Sequence, residues 1–458
     1  MNSKQLQPSR VLARFAHEVI DAPIPRASLE RAVLCVLDAV ALARCAADQK
    51  VAAAVAQFAY DAPLDKPSAR LWTDGRRVSA LDACLLNGVA AHAQFQDDTD
   101  ADSGAHPGSM IVPVALALAQ HADRPLEAAL RGVIAGYVAV NWLGAGGEVR
   151  NALLARGFRT SPTLGPIAAA VCAATVLQLT EDQAVNAIGI AADVTGGLLE
   201  PVRTGAEDWR IENGTSAWRG GMAGLLASAG VRGPQEPLAG DSGFLRAFAG
   251  IDCPASWEHE PEVQTIEKIW FKRYPVLGDN LAVAFAARRL HSQIEDLDAV
   301  DKISVEMERR SAEYPGTAYR GPFRSVEQAL ASTAFTTASI LLYGDIQYSK
   351  YAERLDDRRI AKLIEKLEVV PRDDYRHLDA TVTAFVKGGA TTADVREDED
   401  GLFFRDRSAG RDAFERNLRD SGLTADDAPS LLYGWLDGGP EPRIDQLIDI
   451  VAGARPIR

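Results

Sequence analysis

Four aspartates and one histidine lie close together in the segment Ala91–Leu118, AHAQFQDDTDADSGAHPGSMIVPVALAL. The aspartates are Asp97, Asp98, Asp100 and Asp102, and the histidine is His106. A histidine held by proline and glycine just before a helix can transfer a proton near neutral pH, and the helix N-terminus beside it attracts anions. This pattern predicts acid/base chemistry on an anionic substrate. The plainer alternative is that Ser109 caps the helix and His106 is an ordinary loop residue.

The aspartates match neither of two metal-binding patterns that they resemble. In a calcium loop beginning at Asp98, the glycine position is occupied by Ser103 and the bidentate-glutamate position by Ser109. The aspartate-rich magnesium motif of all-helical isoprenoid synthases needs a third aspartate where Ala101 stands, and no second acidic motif follows. We therefore expect no metal site.

A set of basic residues accompanies this segment. Its members occupy two loops between glycine-rich helices and the stretch before Pro275, and they are Arg150, Arg156, Arg159, Arg203, Arg210, Arg219, Lys272 and Arg273. Planar guanidinium groups pair bidentately with carboxylates, so their convergence would suit a di- or tricarboxylate, whereas the alternative is a solvated basic surface. A serine-hydrolase elbow, a P-loop and a dinucleotide fingerprint after a strand are absent from the sequence, so those enzyme classes lack support.

The elements that must position these residues are mostly helical. Apolar residues recur every three or four positions after Ser9, a plausible N-cap, and again after Pro125. The alanine-rich run from Ser28 to Ala59 predicts two helices separated near Asp48–Lys50, and Thr180 with Gln183 forms a capping box. Together with the small-residue helices around the two arginine-rich loops, these patterns predict a large helical domain.

Beyond Asp298 the apolar period becomes two, which is typical of strands. Strands are predicted at Ile303–Met307, at Lys366–Val370 and in a hairpin that joins Ala380–Val386 to Thr391–Val395, and a shorter Asp-Gly turn is predicted within Leu71–Ser79. Ser325 and Gln328 predict the start of a helix that runs to Leu342. The fold class is therefore mainly α, with a smaller α+β domain at 271–396 between a helical domain at 1–270 and C-terminal helices at 397–458 that rejoin it.

The overall composition restricts the class of protein. The 458 residues carry a net charge of −14, which argues against a nucleic-acid partner because such proteins need a basic surface. The five cysteines show no short paired spacing, lie mostly in apolar runs and are expected to be reduced core thiols of an intracellular protein. The N-terminus lacks the apolar core of a secretion signal, and the apolar runs are too short to span a membrane. We expect a soluble, cytoplasmic protein.

Several blocks of the sequence, taken in order, resemble the MmgE/PrpD family. They are AHAQFQDDTD with AHPGSMIVPVALALA, GFRTSPTLGPIAAAVCAATVLQLTEDQAVNAIGIAAD, DWRIENGTSAWRGGMAGLLASAGVRGP and KRYPV. The family includes 2-methylcitrate dehydratase, cis-aconitate decarboxylase and iminodisuccinate epimerase. The resemblance covers roughly Ser9–Gly344 and implies a large helical domain with a small α+β lid, an active site in the cleft between them, and a homodimer.

The resemblance also implies site residues. The family's Asp-Asp-Thr matches Asp97, Asp98 and Thr99, its His-Pro-Gly histidine matches His106, and its lysine before Tyr-Pro matches Lys272. We expect His106, oriented by Asp98 or Thr99, to be an acid/base. The remaining residues, which are expected to hold substrate carboxylates or contact the substrate, are Asp97, Arg159, Arg210, Lys272 and Tyr274. Lys272 could instead be a second acid/base.

Two positions depart from the family pattern. Many members have an aspartate where this chain has Phe95 and a histidine where it has Arg159. These changes alter the proton-transfer groups and leave room for another substrate carboxylate. The resemblance implies a hydro-lyase that needs no cofactor and acts on a small tricarboxylate such as 2-methylcitrate. An epimerase, a decarboxylase and a catalytically silent carboxylate-binding relative are the alternatives.

Overall fold

The computed structural model describes residues 7–50, 52, 68–397 and 406–457. The chain divides into two compact units. The first unit comprises Met1–Leu199, Arg210–Phe271 and Arg405–Arg458, and the second comprises Glu200–Trp209 and Lys272–Phe404. The first unit is therefore assembled from three separate stretches of chain.

Most of the described secondary structure is helical. The described helices are α1 Pro8–Glu18, α2 Arg26–Cys45, α3 Ala80–His92, α4 Gly108–His121, α5 Leu126–Gly144, α6 Glu148–Ala155, α7 Thr160–Val176, α8 Glu181–Asp193, α9 Glu200–Thr204, α10 Trp209–Ser228, α11 Leu281–His291, α12 Arg309–Ala312, α13 Val326–Ala331, α14 Thr333–Tyr343, α15 Tyr351–Arg354, α16 Arg358–Glu365, α17 Arg407–Asp420, α18 Ala428–Leu436 and α19 Ile444–Ala452. The described strands are β1 Ala69–Arg70, β2 Arg77–Val78, β3 Val300–Glu308, β4 Leu367–Arg372, β5 Ala380–Val386, β6 Gly389–Val395, β7 Leu423–Thr424 and β8 Arg455–Pro456. The mainly α fold class is thus confirmed.

Local sequence signals account for most helix positions in the first unit. The apolar stripe of α1 is buried, as predicted, and the capping box of Thr180 and Gln183 is present at the start of α8. Ser9 is not an N-cap, because α1 begins at Pro8 and the buried Ser9 hydroxyl donates to Glu236 at 3.1 Å. The second helix predicted after Lys50 lies largely outside the described residues.

The core of the first unit is formed by α4, α5 and α7, nearly all of whose residues are buried. Small residues allow the backbones to approach closely: a Cβ added at Gly136 would lie 2.5 Å from an Ile111 methyl carbon, and one at Gly220 would lie 2.2 Å from Ala169 Cβ. Among the described residues, one stretch, Leu126–Ala155, is long and apolar enough to span a membrane, but 83% of its most apolar window is buried. That degree of burial is typical of the core of a soluble protein.

The predicted turn at Leu71–Ser79 is confirmed. β1 and β2 pair antiparallel, with Ala69 opposite Val78, and the connecting chain turns at Gly75 with φ 73°. The five cysteines are free thiols, and the prediction that they lie in the core is wrong for Cys253. Cys253 is exposed, whereas Cys35, Cys84 and Cys172 are buried, and burial raises the pKa of each buried thiol.

The second unit is built around a four-stranded mixed sheet of order β4-β3-β5-β6. β3 is parallel to β4 and antiparallel to β5, and β5 pairs antiparallel with β6 through a hairpin in which Val386 is opposite Gly389. The alternating residues Ile303, Val305 and Met307 are buried, as their period of two predicts. α11 packs on β5 and β6, and α14 packs on α11.

One helix prediction in the second unit is wrong in its length. Ser325 accepts from the Gln328 N–H, as predicted, but the helix that it caps ends at Ala331. At Ser332 the backbone is extended, and the Ser332 hydroxyl caps the separate helix α14 by accepting from the Phe335 N–H. The hydroxyl satisfies a donor that a continuous helix would have satisfied, and so it stabilises the interruption.

Candidate active site

The loop between α3 and α4 is buried rather than solvated. Asp97 and Asp98 have no exposed surface, and Asp100 is 1% exposed. The loop backbone is fixed because Thr99 pairs with Trp270 through two N–H···O hydrogen bonds of 2.9 and 3.0 Å, and Asp100 N–H donates to Ala105. A polar loop with this much burial must satisfy its charges internally.

The Asp98 carboxylate anchors the start of α4. Its Oδ1 accepts from the Gly108 N–H at 2.7 Å, and its Oδ2 accepts from the Tyr137 hydroxyl at 2.6 Å. A Cβ at Gly108 would lie 2.8 Å from Asp98 Oδ1, so only glycine permits this approach. The negative carboxylate also interacts favourably with the helix N-terminus. Ser109, the N-cap in the plainer alternative, is not the N-cap residue; its hydroxyl donates to Asp97.

His106 is oriented by a backbone carbonyl and a hydroxyl. Its Nδ1 lies 2.9 Å from the Asp98 carbonyl oxygen and 3.2 Å from Thr99 Oγ1, while its backbone N–H donates to Ser161. Because a carbonyl oxygen only accepts, the neutral ring carries its proton on Nδ1 and its basic lone pair on Nε2. Orientation by Thr99 is therefore as expected, but the contribution of Asp98 comes from its carbonyl and not from its carboxylate.

A second histidine, His92, lies at the end of α3 in a buried chain of polar contacts. Its Nδ1 is 2.8 Å from Asp97 Oδ2, and its Nε2 is 2.7 Å from Nη2 of Arg159. Arg159 in turn donates from Nη1 to Glu212 at 2.8 Å. We call Asp97, His92, Arg159 and Glu212 the buried relay. Sequence reasoning missed His92, because a histidine at the end of an apolar helix is more often a packing residue.

The two imidazoles are near neighbours and share Phe95. The ring centroids of His92 and His106 are 5.3 Å apart, and the Phe95 ring lies 5.6 Å from the first and 5.4 Å from the second. Phe95 has a φ of 56°, which is unusual for a bulky residue. The backbone of the loop therefore turns sharply here and places an aromatic ring beside both histidines.

Helix α10 brings three polar side chains to the same region. Arg210 is 4% exposed and donates from Nε to the Ala93 carbonyl at 2.9 Å. Asn213, which the sequence did not single out, donates to Ser109 Oγ at 2.8 Å. Glu212 belongs to the buried relay. Asp97, Asp98, Thr99, His106, Arg159 and Arg210 are thus all gathered in the first unit.

The other arginines of the predicted set have different surroundings. Arg150 and Arg219 donate to the carbonyls of Ala101 and Gly196, while Arg156 and Arg203 are exposed. Of the arginines predicted to converge, Arg159 and Arg210 both contact the end of α3, at His92 and Ala93.

Lys272 and Tyr274 begin the main segment of the second unit. Lys272 is 2% exposed and Tyr274 is 3% exposed. Burial raises the pKa of Tyr274, although the neighbouring charge of Arg273 acts in the opposite direction. The Tyr274 ring packs edge-on against Phe285, with the centroids 5.2 Å apart. The functions assigned to both residues remain predictions.

The four aspartates of the loop interact with different partners. Asp100 accepts from Ser103 and Asn141, and Asn141 also donates to Asp102. Burial raises the pKa of Asp100, and these hydrogen bonds oppose the rise. In the part of the chain that the structure describes, no three His, Cys, Asp or Glu residues are grouped as a metal site would require.

Comparison with known proteins adds a family and several relatives. Residues 10–256 match the MmgE/PrpD N-terminal domain, and residues 274–418 match the MmgE/PrpD C-terminal domain. The chain is 26% identical over 346 residues to the cis-aconitate decarboxylase-like protein oryM of Aspergillus oryzae, which covers 70% of this chain and 71% of that protein. It is 26% identical over 273 residues to a cis-aconitate decarboxylase of Aspergillus terreus, covering 57% of this chain and about half, 54%, of that enzyme.

Proposed function

Because the chain belongs to the MmgE/PrpD family, we propose that it is a cofactor-independent lyase acting on a small di- or tricarboxylic acid. The reaction would move a proton at a carbon next to a carboxylate. The family and the decarboxylase-like relatives support a lyase or decarboxylase of this general kind. The choice of substrate, including 2-methylcitrate, is part of the proposal.

The observation that carries the proposal is the setting of His106. The Nδ1 proton is held by the Asp98 carbonyl, so the basic Nε2 has a fixed direction. His106 is 8% exposed, and its loop leads directly into the N-terminus of α4, which the Asp98 carboxylate holds in place. A neutral imidazole fixed in this way is suited to remove a proton from carbon and to return one.

Removal of a proton beside a carboxylate places negative charge on that carboxylate. Arg159 and Arg210 would stabilise the charge within the first unit, and we propose that Lys272 and Tyr274 contact the substrate as well. Asp97 acts on Arg159 through His92, so its contribution would be indirect. In the dehydration, loss of hydroxide from the neighbouring carbon completes the elimination.

Decarboxylation is the second candidate, and Phe95 favours it together with the names of the relatives. Dehydration needs a base for the proton and an acid for the departing hydroxide, whereas decarboxylation needs one proton donor for the carbanion that remains after carbon dioxide leaves. Beside the two histidines lies the apolar ring of Phe95, which cannot supply a proton, so one possible acid is missing from the site. In this reaction His106 would act as the acid, which requires that its ring first be protonated on Nε2, so that it gives this proton to the carbanion and returns to the neutral form.

The test is proton NMR of the purified protein with citrate, 2-methylcitrate, cis-aconitate and iminodisuccinate in turn. Dehydration converts a hydroxy acid into an unsaturated acid, decarboxylation releases carbon dioxide and shortens the acid, and epimerisation only inverts a centre. Any one of these products supports the lyase proposal or selects its alternative. Complete absence of turnover with all four acids would contradict the enzyme proposal and favour a carboxylate-binding function.

We also propose that the protein works as a homodimer in the cytoplasm. The support is the family resemblance and the free cysteine thiols. Size-exclusion chromatography with light scattering should give about twice the mass of the 49.1 kDa chain. A mass equal to one chain would contradict the dimer.

A further inference from the structure

His92 is fixed in one protonation state by its two neighbours. The Asp97 carboxylate can only accept, so Nδ1 carries a proton. The Arg159 guanidinium can only donate, so Nε2 presents its lone pair. A protonated ring would direct an N–H at another donor. His92 is therefore a neutral ring with a charged partner on each nitrogen, an aspartate and an arginine. His106 differs in its partners, because its Nδ1 contacts a carbonyl and a hydroxyl.

The orientation of Arg159 follows from these contacts. Its two terminal nitrogens are bonded to groups on different helices, His92 at the end of α3 and Glu212 in α10. Two bonds to two terminal nitrogens fix the plane of a guanidinium group. The backbone is fixed as well, because Arg159 N–H donates to Gly197 and the Arg159 carbonyl accepts from Thr163.

The fixed orientation of the Arg159 guanidinium matters because Arg159 lies near His106. Arg159 Nη2 lies 2.7 Å from the His92 ring, whose centroid is 5.3 Å from that of His106. Arg159 and His106 are thus both neighbours of the His92 ring, and a small acid whose carboxylate binds at the guanidinium could present the carbon beside it to the His106 imidazole. Such placement requires an arginine that does not move, since small displacements of a substrate reduce rates strongly.

We propose that His92, supported by Asp97, is a positioning residue that fixes Arg159 as the group that binds the substrate carboxylate next to the reacting carbon. The proposal rests on the lyase function proposed above and names the part of the substrate that this site recognises. It also assigns a reason for histidine at position 92, which accepts from an arginine and donates to an aspartate at the same time.

Two conservative variants test the two hydrogen bonds of His92 one at a time. In His92→Asn the amide nitrogen lies near the former Nδ1 and retains the bond to Asp97, but the acceptor for Arg159 is lost. In His92→Gln the amide oxygen can reach the former Nε2 position and still accept from Arg159. We expect kcat/KM to fall about 10- to 100-fold in His92→Asn, and His92→Gln to recover most of this loss.

A double-mutant cycle with Arg159→Lys tests whether the two residues act together. His92→Asn should cost little further activity once Arg159 is replaced. His17→Asn is the matched control, because His17 lies in α1, where its Nδ1 contacts the Leu179 carbonyl, and it should leave kcat/KM unchanged. Equal losses in His92→Asn and His92→Gln, with a lower melting temperature in both, would show a purely structural function and overturn the proposal.

Two further measurements separate failure of this proposal from failure of the proposed reaction. Titration calorimetry with tricarballylate, a saturated tricarboxylate, measures binding without turnover, and binding should follow the order wild type, His92→Gln, His92→Asn. NMR of protein labelled with ring-¹⁵N histidine should show His92 protonated on Nδ1 alone at pH 7. If no substrate turns over, the proposed lyase function is wrong, but these two results still test the proposal that His92 positions Arg159. Protonation of His92 on Nε2, or unchanged tricarballylate binding in His92→Asn, would overturn it.

Discussion

At the scale of single residues, Phe95 shapes the site through both its backbone and its ring. Its φ of 56° costs about 1–3 kcal/mol in a residue of this size, and that cost is tolerated because the loop is fixed around it. The ring contacts the imidazoles of His92 and His106, at the position where many family members carry an aspartate. An uncharged ring, and not a carboxylate, therefore lies next to both histidines.

Phe95→Asp should raise the pH at which His106 titrates. A carboxylate beside an imidazole favours the charged ring, so the midpoint should rise. NMR titration of the histidine rings measures the change. Phe95→Leu is the control, because it alters the ring without adding charge, and an equal midpoint in both variants would contradict the expectation.

Tyr137→Phe should destabilise the protein by about 1–3 kcal/mol, because the Asp98 carboxylate loses a donor at 2.6 Å inside the core. Burial and the nearby Asp98 charge raise the pKa of Tyr137, which keeps its hydroxyl a donor. Urea denaturation measures the loss. Tyr433 has a buried hydroxyl with no hydrogen-bond partner in the described residues, so Tyr433→Phe should be nearly neutral. Equal costs for the two variants would refute this explanation.

The sequence revealed some of these residues and not others. Asp98 and His106 lie within nine consecutive residues beside a helix start, so the pattern placed them in one loop, whereas Thr99 was singled out by the family resemblance. His92 meets Arg159 across 67 positions of sequence, and Asn213 meets Ser109 across 104. Contacts of that length depend on how helices pack, which residue types and local spacing do not determine.

At the scale of elements, the crossing of α3 and α10 brings the buried relay together. A Cβ at Gly88 would lie 2.8 Å from Gly214 Cα, and a Cβ at Gly214 would lie 2.5 Å from the Leu85 carbonyl oxygen. The two helices therefore approach at a pair of glycines. The approach places Glu212 and Arg210, which precede Gly214 in α10, beside the end of α3.

Gly214→Ala should destabilise the protein by about 1–3 kcal/mol and lower activity, because the added methyl group must separate the two helices. Thermal unfolding and kcat/KM measure the two effects. Gly434 also lies in a helix, α18, and a Cβ there would meet nothing within 4 Å. Gly434→Ala should be neutral or slightly stabilising. An unchanged melting temperature for Gly214→Ala would contradict the proposed close crossing.

In the second unit, Asp379 links the backbone just before β5 to the backbone just after β6. It accepts from the backbone N–H groups of Arg376 and Glu397, each at 2.9 Å. Burial alone would raise the pKa of Asp379, but these hydrogen bonds and the Arg376 charge outweigh it, so the pKa is lowered. The ionised carboxylate therefore stabilises the folded state above the unfolded pKa, near 3.9, and this contribution is lost as pH falls below that value.

Asp379→Asn should lower the melting temperature at pH 7, with a smaller difference from wild type near pH 3.5. The cost at pH 7 should be about 1–2 kcal/mol, because charged hydrogen bonds to two backbone groups are weakened. Circular dichroism at both pH values measures the change. Asp373 forms an exposed pair with Arg309, so Asp373→Asn should have little effect at either pH. A difference that is the same at both pH values would contradict the assignment.

Local signals predicted the elements well where one stretch of chain determines them. The hairpin of β5 and β6 follows from alternation around Lys387-Gly388, and α8 follows from its capping box. The predicted helix from Ser325 failed at Ser332, where a side-chain cap begins a second helix within an apolar run. An apolar pattern continues through such a break, so periodicity does not detect it.

At the scale of the whole molecule, the chain leaves the first unit and returns to it. Glu200–Trp209 belongs to the second unit although helices of the first unit lie on both sides of it in sequence. The sequence marks those ten residues as part of a polar interruption between apolar helices, but it does not show to which unit they belong. The net charge of −14 likewise does not reveal that some cations are buried. Arg159, Arg210 and Lys272 are each at most 4% exposed.

The central claim is that His106 moves a proton at a carbon beside a carboxylate, and exchange of that proton with heavy water tests it most directly. With citrate, 2-methylcitrate, cis-aconitate and iminodisuccinate in deuterated buffer, wild-type protein should introduce deuterium next to a carboxylate of at least one acid, as followed by proton NMR. His106→Ala should lose this exchange about 10²- to 10⁴-fold, while the α1 variant His17→Ala retains it. Equal exchange in His106→Ala and wild type, or no exchange with any of the four acids, would contradict the claim.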